Sequence, residues 1–411
     1  MEHNPAIALF LALGVIIAAS RLAGALSRLL GQPRVLGELV VGVVLGPTLL
    51  NLLHWQILHG VDLQRTEDEL AELGVLMLMF IVGLEVNINE LVQVGRVGVF
   101  AGVLGALLPV ILTIPAVMIF NHTWQAALFA GVVLAATSVS ISAQVLLELG
   151  VLQTKEGNAL LATALIDDVL AILLVSLTVA ITAPQGEVEA GALVGIVARM
   201  AVYLVAAGLV AWFVLPRVMN WIASQPVLSQ SFGVIAFALV IIFIFAWSAE
   251  ELGGIAAITG AFLAGVGLSR TRERIKHDIE EAASFIAYGF LVPIFFVDVG
   301  LKIDLSTFPL TALPLALLLL VIAVISKVGG CGLGGKLGGF TNQESFRLGV
   351  CMISRGEVGL IIAALGVTTG VFQPHQPLFS SLFLVILLST LLTPILVRRV
   401  FPRKAQGVNV S

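Results

Sequence analysis

The chain has 411 residues, of which 59% are hydrophobic and 11% are charged, and its mean hydropathy is +1.09. Because a soluble globular domain carries about 25% charged residues, this composition excludes one and indicates an integral membrane protein. The formal net charge of -4 is close to neutral and therefore indicates neither an acidic nor a basic partner.

Apolar segments of about 20 residues, the length that crosses a hydrocarbon core about 30 Å thick, recur along the whole chain. The first contains Arg21 and has no small-residue cleavage site after a short apolar core, so we predict a retained helix and not a signal peptide. We predict an all-α polytopic membrane protein with about 13 transmembrane helices. The spans lie near residues 6–30, 34–53, 69–88, 92–120, 124–149, 157–183, 190–221, 229–249, 252–269, 283–302, 308–336, 343–370 and 377–400.

The positive residues are distributed unevenly between alternate loops. Sixteen of the 21 Lys and Arg residues fall on one side and only Arg65 and Lys302 on the other, while Arg199, Lys327 and Arg355 lie within spans. Lys and Arg accumulate in cytoplasmic loops. We therefore predict a multi-pass protein of the cell (inner) membrane, with the N-terminus outside and the C-terminus in the cytoplasm.

The fifth and twelfth spans each contain a point at which a helix is weak. The fifth carries four hydroxyl residues in mid-span, Thr137 and Ser138 among them, and the twelfth carries Gly356 between Arg355 and Glu357. An unwound backbone at membrane depth is tolerated only where it lines a cavity or where charges compensate the helix ends. We predict two broken, crossed helices in which Arg355 and Glu357 compensate the dipole ends and each other. Unbroken helices whose hydroxyls bond to their own carbonyls are the alternative.

Two adjacent carboxylates, Asp167 and Asp168, lie in the middle of the otherwise apolar sixth span. A carboxylate at the bilayer centre costs roughly 2.5 to 3.5 kcal/mol, so we expect the pair to face a cavity and to bind a cation or a proton. Neighbouring helical positions point about 100° apart, so the two cannot do the same job. One is expected to pair with Lys327 of the eleventh span, whose unpaired ammonium would be equally costly. A static Asp–Lys bridge is the alternative to a lysine that also carries a proton.

An internal repeat relates the two halves of the chain. The segment around Gly83 recurs around Gly300 at an offset of 217 residues, and the same offset relates Gly37 to Gly254 and the fifth-span break to the twelfth. Each match joins a span to the one seven positions later, so the second copy is predicted to run through the membrane upside down. Inverted repeats of this kind build secondary transporters around a site at the bilayer midplane.

Five motifs occur in order along the chain: the Gly37–Pro47 run, the Thr-Ser break, the Asp-Asp pair, the isolated Lys327 and the Ser-Arg-Gly-Glu-Val-Gly-Leu-Ile run that begins at Ser354. Together they resemble bacterial sodium/proton antiporters of the monovalent cation:proton antiporter superfamily, the NapA-like branch especially. The resemblance covers essentially the whole chain, so residues 1–411 are expected to form one transporter unit.

The resemblance implies a homodimer in which a core domain slides like an elevator past a scaffold. The core is expected at about 69–183 and 283–400, and the scaffold and dimerisation helices at about 1–53 and 190–270. It also implies that Asp168 is the ion- and proton-binding carboxylate and that Asp167 is the partner of Lys327. The hydroxyls of Thr137 and Ser138 are expected beside them. An Asp-Asp pair favours Na⁺ or Li⁺ over K⁺.

The predicted function is therefore transport and not catalysis: electrogenic exchange of cytoplasmic Na⁺ or Li⁺ for external H⁺. The transported cation would bind at Asp168 and Asp167, and we expect no cofactor and no nucleic acid. One alternative is a K⁺/H⁺ antiporter or a potassium efflux protein of the same fold, which normally carries a soluble ligand-sensing domain that we do not expect after Arg403. An intramembrane aspartyl protease is a weak alternative, because its two aspartates come from different helices.

Overall fold

The computed structural model describes residues 5–52, 55, 63–86, 91, 93–182, 190–230, 232–302, 306, 308–372 and 376–401. In these ranges the secondary structure is helical throughout, with no strand. The helices, numbered in chain order, are α1 (Pro5–Leu29), α2 (Arg34–Leu45), α3 (Leu63–Glu85), α4 (Gly95–Ile119), α5 (Trp124–Ala135), α6 (Val139–Glu148), α7 (Lys155–Thr182), α8 (Ala190–Leu209), α9 (Leu215–Ser224), α10 (Pro226–Ser229), α11 (Gly233–Ser248), α12 (Ala257–Leu268), α13 (Glu273–Ile286), α14 (Val292–Leu301), α15 (Leu313–Leu337), α16 (Asn342–Cys351), α17 (Glu357–Thr368) and α18 (Pro377–Val400).

Every predicted span corresponds to a helix or to a pair of helices, so the predicted all-α class is confirmed. Within the described ranges, nine helices are long and apolar enough to cross a membrane by themselves. The other four spans are built differently. The second and ninth are helices of only 12 residues (α2 and α12), the third begins with a polar turn, and the twelfth is divided between α16 and α17. A helix of 12 residues is about 18 Å long, less than the thickness of the hydrocarbon core.

The helices pack in two groups, which we call the panel and the core bundle. The panel comprises α1–α3 and α8–α14, and its most extensive contacts join α3 to α12 and α2 to α14. The core bundle comprises α4–α7 and α15–α18, and its most extensive contact joins α4 to α15. Contacts within each group are far more extensive than contacts between them. The boundary between panel and core bundle is therefore the weakest packed surface of the molecule.

Glycines set the closest helix approaches in the panel. A Cβ atom added at Gly42 of α2 would lie less than 3.0 Å from the carbonyl oxygen of Val297 in α14. A Cβ atom at Gly265 of α12 would meet the carbonyl oxygen of Phe80 in α3 in the same way. The two contacts are equivalent under the internal repeat, since each joins the short helix of one copy to a long helix of the other.

The same contacts correct the predicted register of the repeat in the short helices. Gly42 and Gly265 are 223 residues apart, and at this offset Gly37 corresponds to Gly260. Gly37 and Gly260 both lie against a backbone carbonyl of the preceding long helix, which confirms the match. The predicted equivalence of Gly37 with Gly254 is therefore wrong. Gly254 ends the π-helical turn after α11 in a left-handed conformation with φ of 66°. The offset changes because the connection after α2 is six residues longer than the one after α12.

We expect Gly42→Ala to lower the free energy of unfolding by about 1 to 3 kcal/mol, the usual result of overpacking. The matched control is Gly14→Ala in α1, where an added Cβ would meet nothing within 4 Å. That substitution should stabilise the protein by up to about 1 kcal/mol, because alanine loses less backbone entropy in a helix. Thermal unfolding in detergent measures both variants, and equal melting temperatures would contradict the packing role of Gly42.

Candidate ion-binding site

The fifth and twelfth spans are broken at the predicted points, and their breaks cross. The chain leaves the helical conformation between α5 and α6 at residues 136–138, and between α16 and α17 at residues 352–356. The N–H of Ser138 donates to the carbonyl of Ser354 at 3.0 Å, and the Ser354 hydroxyl donates back to the carbonyl of Ser138. The hydroxyls of Ser142 and Ser354 are 3.2 Å apart. These bonds satisfy backbone groups that unwinding exposes, and they exclude the alternative of two unbroken helices.

Arg355 is fully buried beside the two breaks and bonds to backbone carbonyls. Its Nε and Nη2 atoms donate to the Leu134 carbonyl at 3.2 and 2.9 Å, and Nη2 also donates to the Ala323 carbonyl at 2.9 Å. Nη1 donates to the carbonyl of Ile353. Leu134 lies in the last turn of α5, and Ile353 follows the end of α16. The guanidinium therefore lies at the two half-helix ends where partial negative charge accumulates.

Glu357 is the first residue of α17. A carboxylate in the first turn of a helix is placed favourably with respect to the helix dipole. The side chain of Glu357 lies outside what the structure describes, so its predicted interaction with Arg355 stays a prediction.

Asp167 and Lys327 form a buried ion pair between α7 and α15. The Lys327 Nζ atom lies 3.0 Å from Asp167 Oδ1, and the two side chains are 0% and 3% exposed. A pair this deeply buried is maintained by its geometry, since removing either partner would leave an uncompensated charge. The lysine predicted as the partner of Asp167 thus lies beside it, as the cost of an unpaired charge requires.

Asp168 points away from this pair and is only partly buried. Its Oδ2 atom accepts a hydrogen bond of 2.9 Å from the hydroxyl of Thr259, in the first turn of α12. Asp168, Thr137, Ser138 and Thr259 all line one cavity, here called the ion-site cavity, with about 450 Å³ of empty space. Carboxylate and hydroxyl oxygens are the ligand type that hard monovalent cations share with Ca²⁺ and Mg²⁺. The cavity therefore places three predicted site residues together.

Thr259 is the site residue that sequence reasoning missed. It is 4% exposed and comes from an apolar helix of the panel, 91 residues away from Asp168. Its local sequence resembles that of any helix-packing threonine. The start of a short helix opposite the Asp-Asp pair would have been the signal, and that signal depends on the tertiary structure.

A second cavity, here called the acidic cavity, lies on the other side of the ion-site cavity. Asp68, Glu72, Glu250 and Asp298 line it, and the Lys302 Nζ atom lies 2.9 Å from Asp68 and 2.7 Å from Asp298. Its empty space is about 1330 Å³, and it shares the side chains of Ile258 and Val358 with the ion-site cavity. A cleft lined by carboxylates raises the local concentration of cations.

Both cavities lie on the boundary between the panel and the core bundle. Ile258 and Thr259 belong to α12 of the panel, whereas Asp168 and Val358 belong to α7 and α17 of the core bundle. A buried carboxylate between two cavities, beside crossed half-helices of an internal repeat, defines the class of polytopic membrane transporters.

Comparison with known proteins identifies the family. Residues 14–401 match the family described as sodium/hydrogen exchanger, transmembrane. The chain is 34% identical to the Na⁺/H⁺-K⁺ antiporter GerN of Bacillus cereus over 98% of both chains. It is also 34% identical to an Na⁺/H⁺ antiporter of Enterococcus hirae, over 93% of this chain and 96% of the relative. The chain therefore belongs to the sodium/hydrogen exchanger family, as its motifs predict.

The fold also matches a solved structure. The sodium proton antiporter of Methanocaldococcus jannaschii at pH 8 superposes with a TM-score of 0.64, covering 96% of each chain. The two sequences are 15% identical, so this likeness concerns the fold.

Proposed function

We propose that this protein is a secondary active antiporter that exchanges cytoplasmic Na⁺ or Li⁺ for external H⁺. The observation that carries the proposal is the position of Asp168, a carboxylate at membrane depth in a cavity with the hydroxyls of Thr137 and Ser138. The printed names of the Bacillus and Enterococcus relatives, both Na⁺/H⁺ antiporters, support it.

Competition for one carboxylate couples the two fluxes. Asp168 holds either a proton or a cation, because protonation removes the charge that attracts the cation. At high pH the bare carboxylate binds the cation, and protonation expels it. If the core bundle moves only when Asp168 is occupied, downhill entry of protons drives the exit of cations.

Alternating access is proposed to occur by sliding of the core bundle against the panel, as in an elevator. The thin contact surface between the groups supports this motion, and both cavities lie along it. The predicted core domain includes α3 and α14, but these helices pack most extensively on α12 and α2. We therefore group α3 and α14 with the scaffold, so that the core extends over about 95–182 and 313–400.

The orientation follows from the charge distribution and stays a proposal. The acidic cavity contains Lys302 and Asp68, which lie on the side with few positive residues. This cavity is therefore the external mouth. The exposed apolar faces of the panel are proposed to contact lipid and the second subunit of a homodimer.

Lys327 is proposed to release a proton when a cation draws on Asp167, so that two protons return for each cation and exchange is electrogenic. We then expect Lys327→Gln to make exchange independent of the membrane potential. Exchange by the variant that is still accelerated by the potential would exclude Lys327 as the second carrier. The double variant Asp167→Asn/Lys327→Gln, which leaves no buried charge unpaired, is measured in parallel. The control is Lys336→Gln, an exposed lysine of the same helix.

A K⁺/H⁺ antiporter is the second candidate function, because the printed name of the Bacillus relative includes K⁺. Purified protein in liposomes with an imposed pH gradient decides between the candidates. Na⁺, Li⁺ and K⁺ are added in turn while proton efflux is followed. We expect Na⁺ and Li⁺ to release protons, and a response to K⁺ alone would favour the second candidate. Cation flux without any proton movement would contradict antiport altogether.

A further inference from the structure

The hydrogen bond between Thr259 and Asp168 crosses the boundary between the two helix groups. Thr259 belongs to α12 of the panel and Asp168 to α7 of the core bundle, and the donor and acceptor oxygens are 2.9 Å apart. Thr259 is buried, so water does not compete freely for its hydroxyl. Hydrogen bonds to ionised groups are about twice as strong as neutral ones. The bond therefore stabilises the arrangement in which the charged carboxylate lies against the panel.

The local structure of α12 strengthens this contact. Thr259 is the third residue of the helix, whose first turn has N–H groups without partners of their own helix. The positive end of the helix dipole thus lies close to the Asp168 carboxylate and favours its charged, empty form.

The repeat-related helix of the panel makes a comparable contact. The backbone N–H of Arg34, the first residue of α2, donates to Glu148 Oε2 of the core bundle at 2.7 Å. A carboxylate of the core bundle therefore lies at the first turn of each short panel helix. Both contacts must break when the core bundle slides along the panel.

We propose that Thr259 is a positioning residue that latches the core bundle to the panel while Asp168 is ionised and empty. The inference rests on the proposed antiport and deepens it. A cation or a proton on Asp168 takes up the lone pairs and the charge that hold the Thr259 hydroxyl, and this releases the latch. The latch makes movement of the empty carrier unfavourable, which strict coupling of the two fluxes requires.

The structure favours a latch over a ligand role for the Thr259 hydroxyl. A ligand on the panel would have to be left behind when the bound cation moves with the core bundle. Thr137 and Ser138 are the hydroxyl residues of the ion-site cavity that belong to the core bundle itself. These two residues, and not Thr259, would therefore travel with the cation.

Thr259→Val tests the latch, because valine keeps the shape of threonine without the hydroxyl, and Thr259→Ser is the matched variant that keeps it. Exchange is measured in liposomes at alkaline pH, where protons do not compete for Asp168. A latch must be broken before the cation binds, so we expect the KM for Na⁺ to fall about 10- to 100-fold in Thr259→Val, the equivalent of a charged hydrogen bond. We also expect Na⁺ efflux without proton uptake to increase by a similar factor. Thr259→Ser should keep the original values of both.

The sign of the KM change separates the outcomes. A higher KM in Thr259→Val would identify the hydroxyl as a cation ligand and overturn the latch. Unchanged KM and unchanged coupling would also overturn it, since they would leave the threonine with a packing role only. If Thr259→Val does not fold, Thr259→Ala is measured against Thr259→Ser in the same way. Asp168→Asn is included in each series. Loss of exchange there together with a silent Thr259→Val would refute the latch alone, whereas retained exchange in Asp168→Asn would refute the proposed function.

Discussion

Asp168→Asn is expected to reduce cation/proton exchange to the level of protein-free liposomes. The asparagine amide has nearly the shape of the carboxylate but neither binds a proton at neutral pH nor attracts a cation by charge. Because Asp168 is proposed to carry both ions, no partial activity is expected at any pH. The measurement is proton efflux from liposomes after addition of Na⁺ or Li⁺.

The control for this substitution is Glu69→Gln. Glu69 is 63% exposed and forms a surface ion pair with Arg65, so its neutralisation removes the same charge at a site with little energetic consequence. We expect normal exchange in this variant. Exchange that persists in Asp168→Asn at the level of the Glu69→Gln control would contradict the assignment of Asp168.

Arg355→Met is expected to lower the free energy of unfolding by about 3 to 5 kcal/mol, the usual range when one partner of a buried charged network is removed. The substitution leaves the carbonyls of Leu134, Ile353 and Ala323 without the guanidinium that they share. Unpaired carbonyls at two half-helix ends also lose compensation of the helix dipoles. We expect the breaks to lose their crossed geometry and exchange to fall accordingly.

Arg355→Lys should recover only part of this stability. A lysine ammonium has three donors on a flexible stem, whereas the planar guanidinium donates to three carbonyls at once. The control is Arg399→Met, an exposed residue in the last turn of α18, which should change stability by about 1 kcal/mol or less. Thermal unfolding in detergent compares the three variants, and a melting temperature of Arg355→Met equal to that of Arg399→Met would contradict the capping role.

The features that were predictable from the sequence share one cause, the cost of polar groups in hydrocarbon. The all-helical class and the span positions follow because an apolar segment must satisfy its own backbone. The pairing of Lys327 with an aspartate of the sixth span follows because neither charge is stable there alone. The breaks of the fifth and twelfth spans follow from hydroxyl and charged residues that a continuous apolar helix would not need.

The register of the repeat was not predictable in the same way. Gly37 has several glycines near the expected offset, and a short motif does not distinguish Gly254 from Gly260. The choice depends on which helix lies against each glycine, and this is a property of packing and not of local sequence.

The sequence by itself determined a membrane-embedded helical transporter scaffold with charged residues at bilayer depth, because transfer of charge and of unpaired backbone into lipid dominates every other energy at those positions. Only the tertiary structure decided which groups surround Asp168. It brought Thr259 of the panel to the carboxylate, placed Arg355 at two half-helix ends, and gathered Asp68, Glu250 and Asp298 around a second cavity. Contacts between residues so distant in the chain depend on how the two helix groups pack, and side-chain composition along a single helix does not encode that packing.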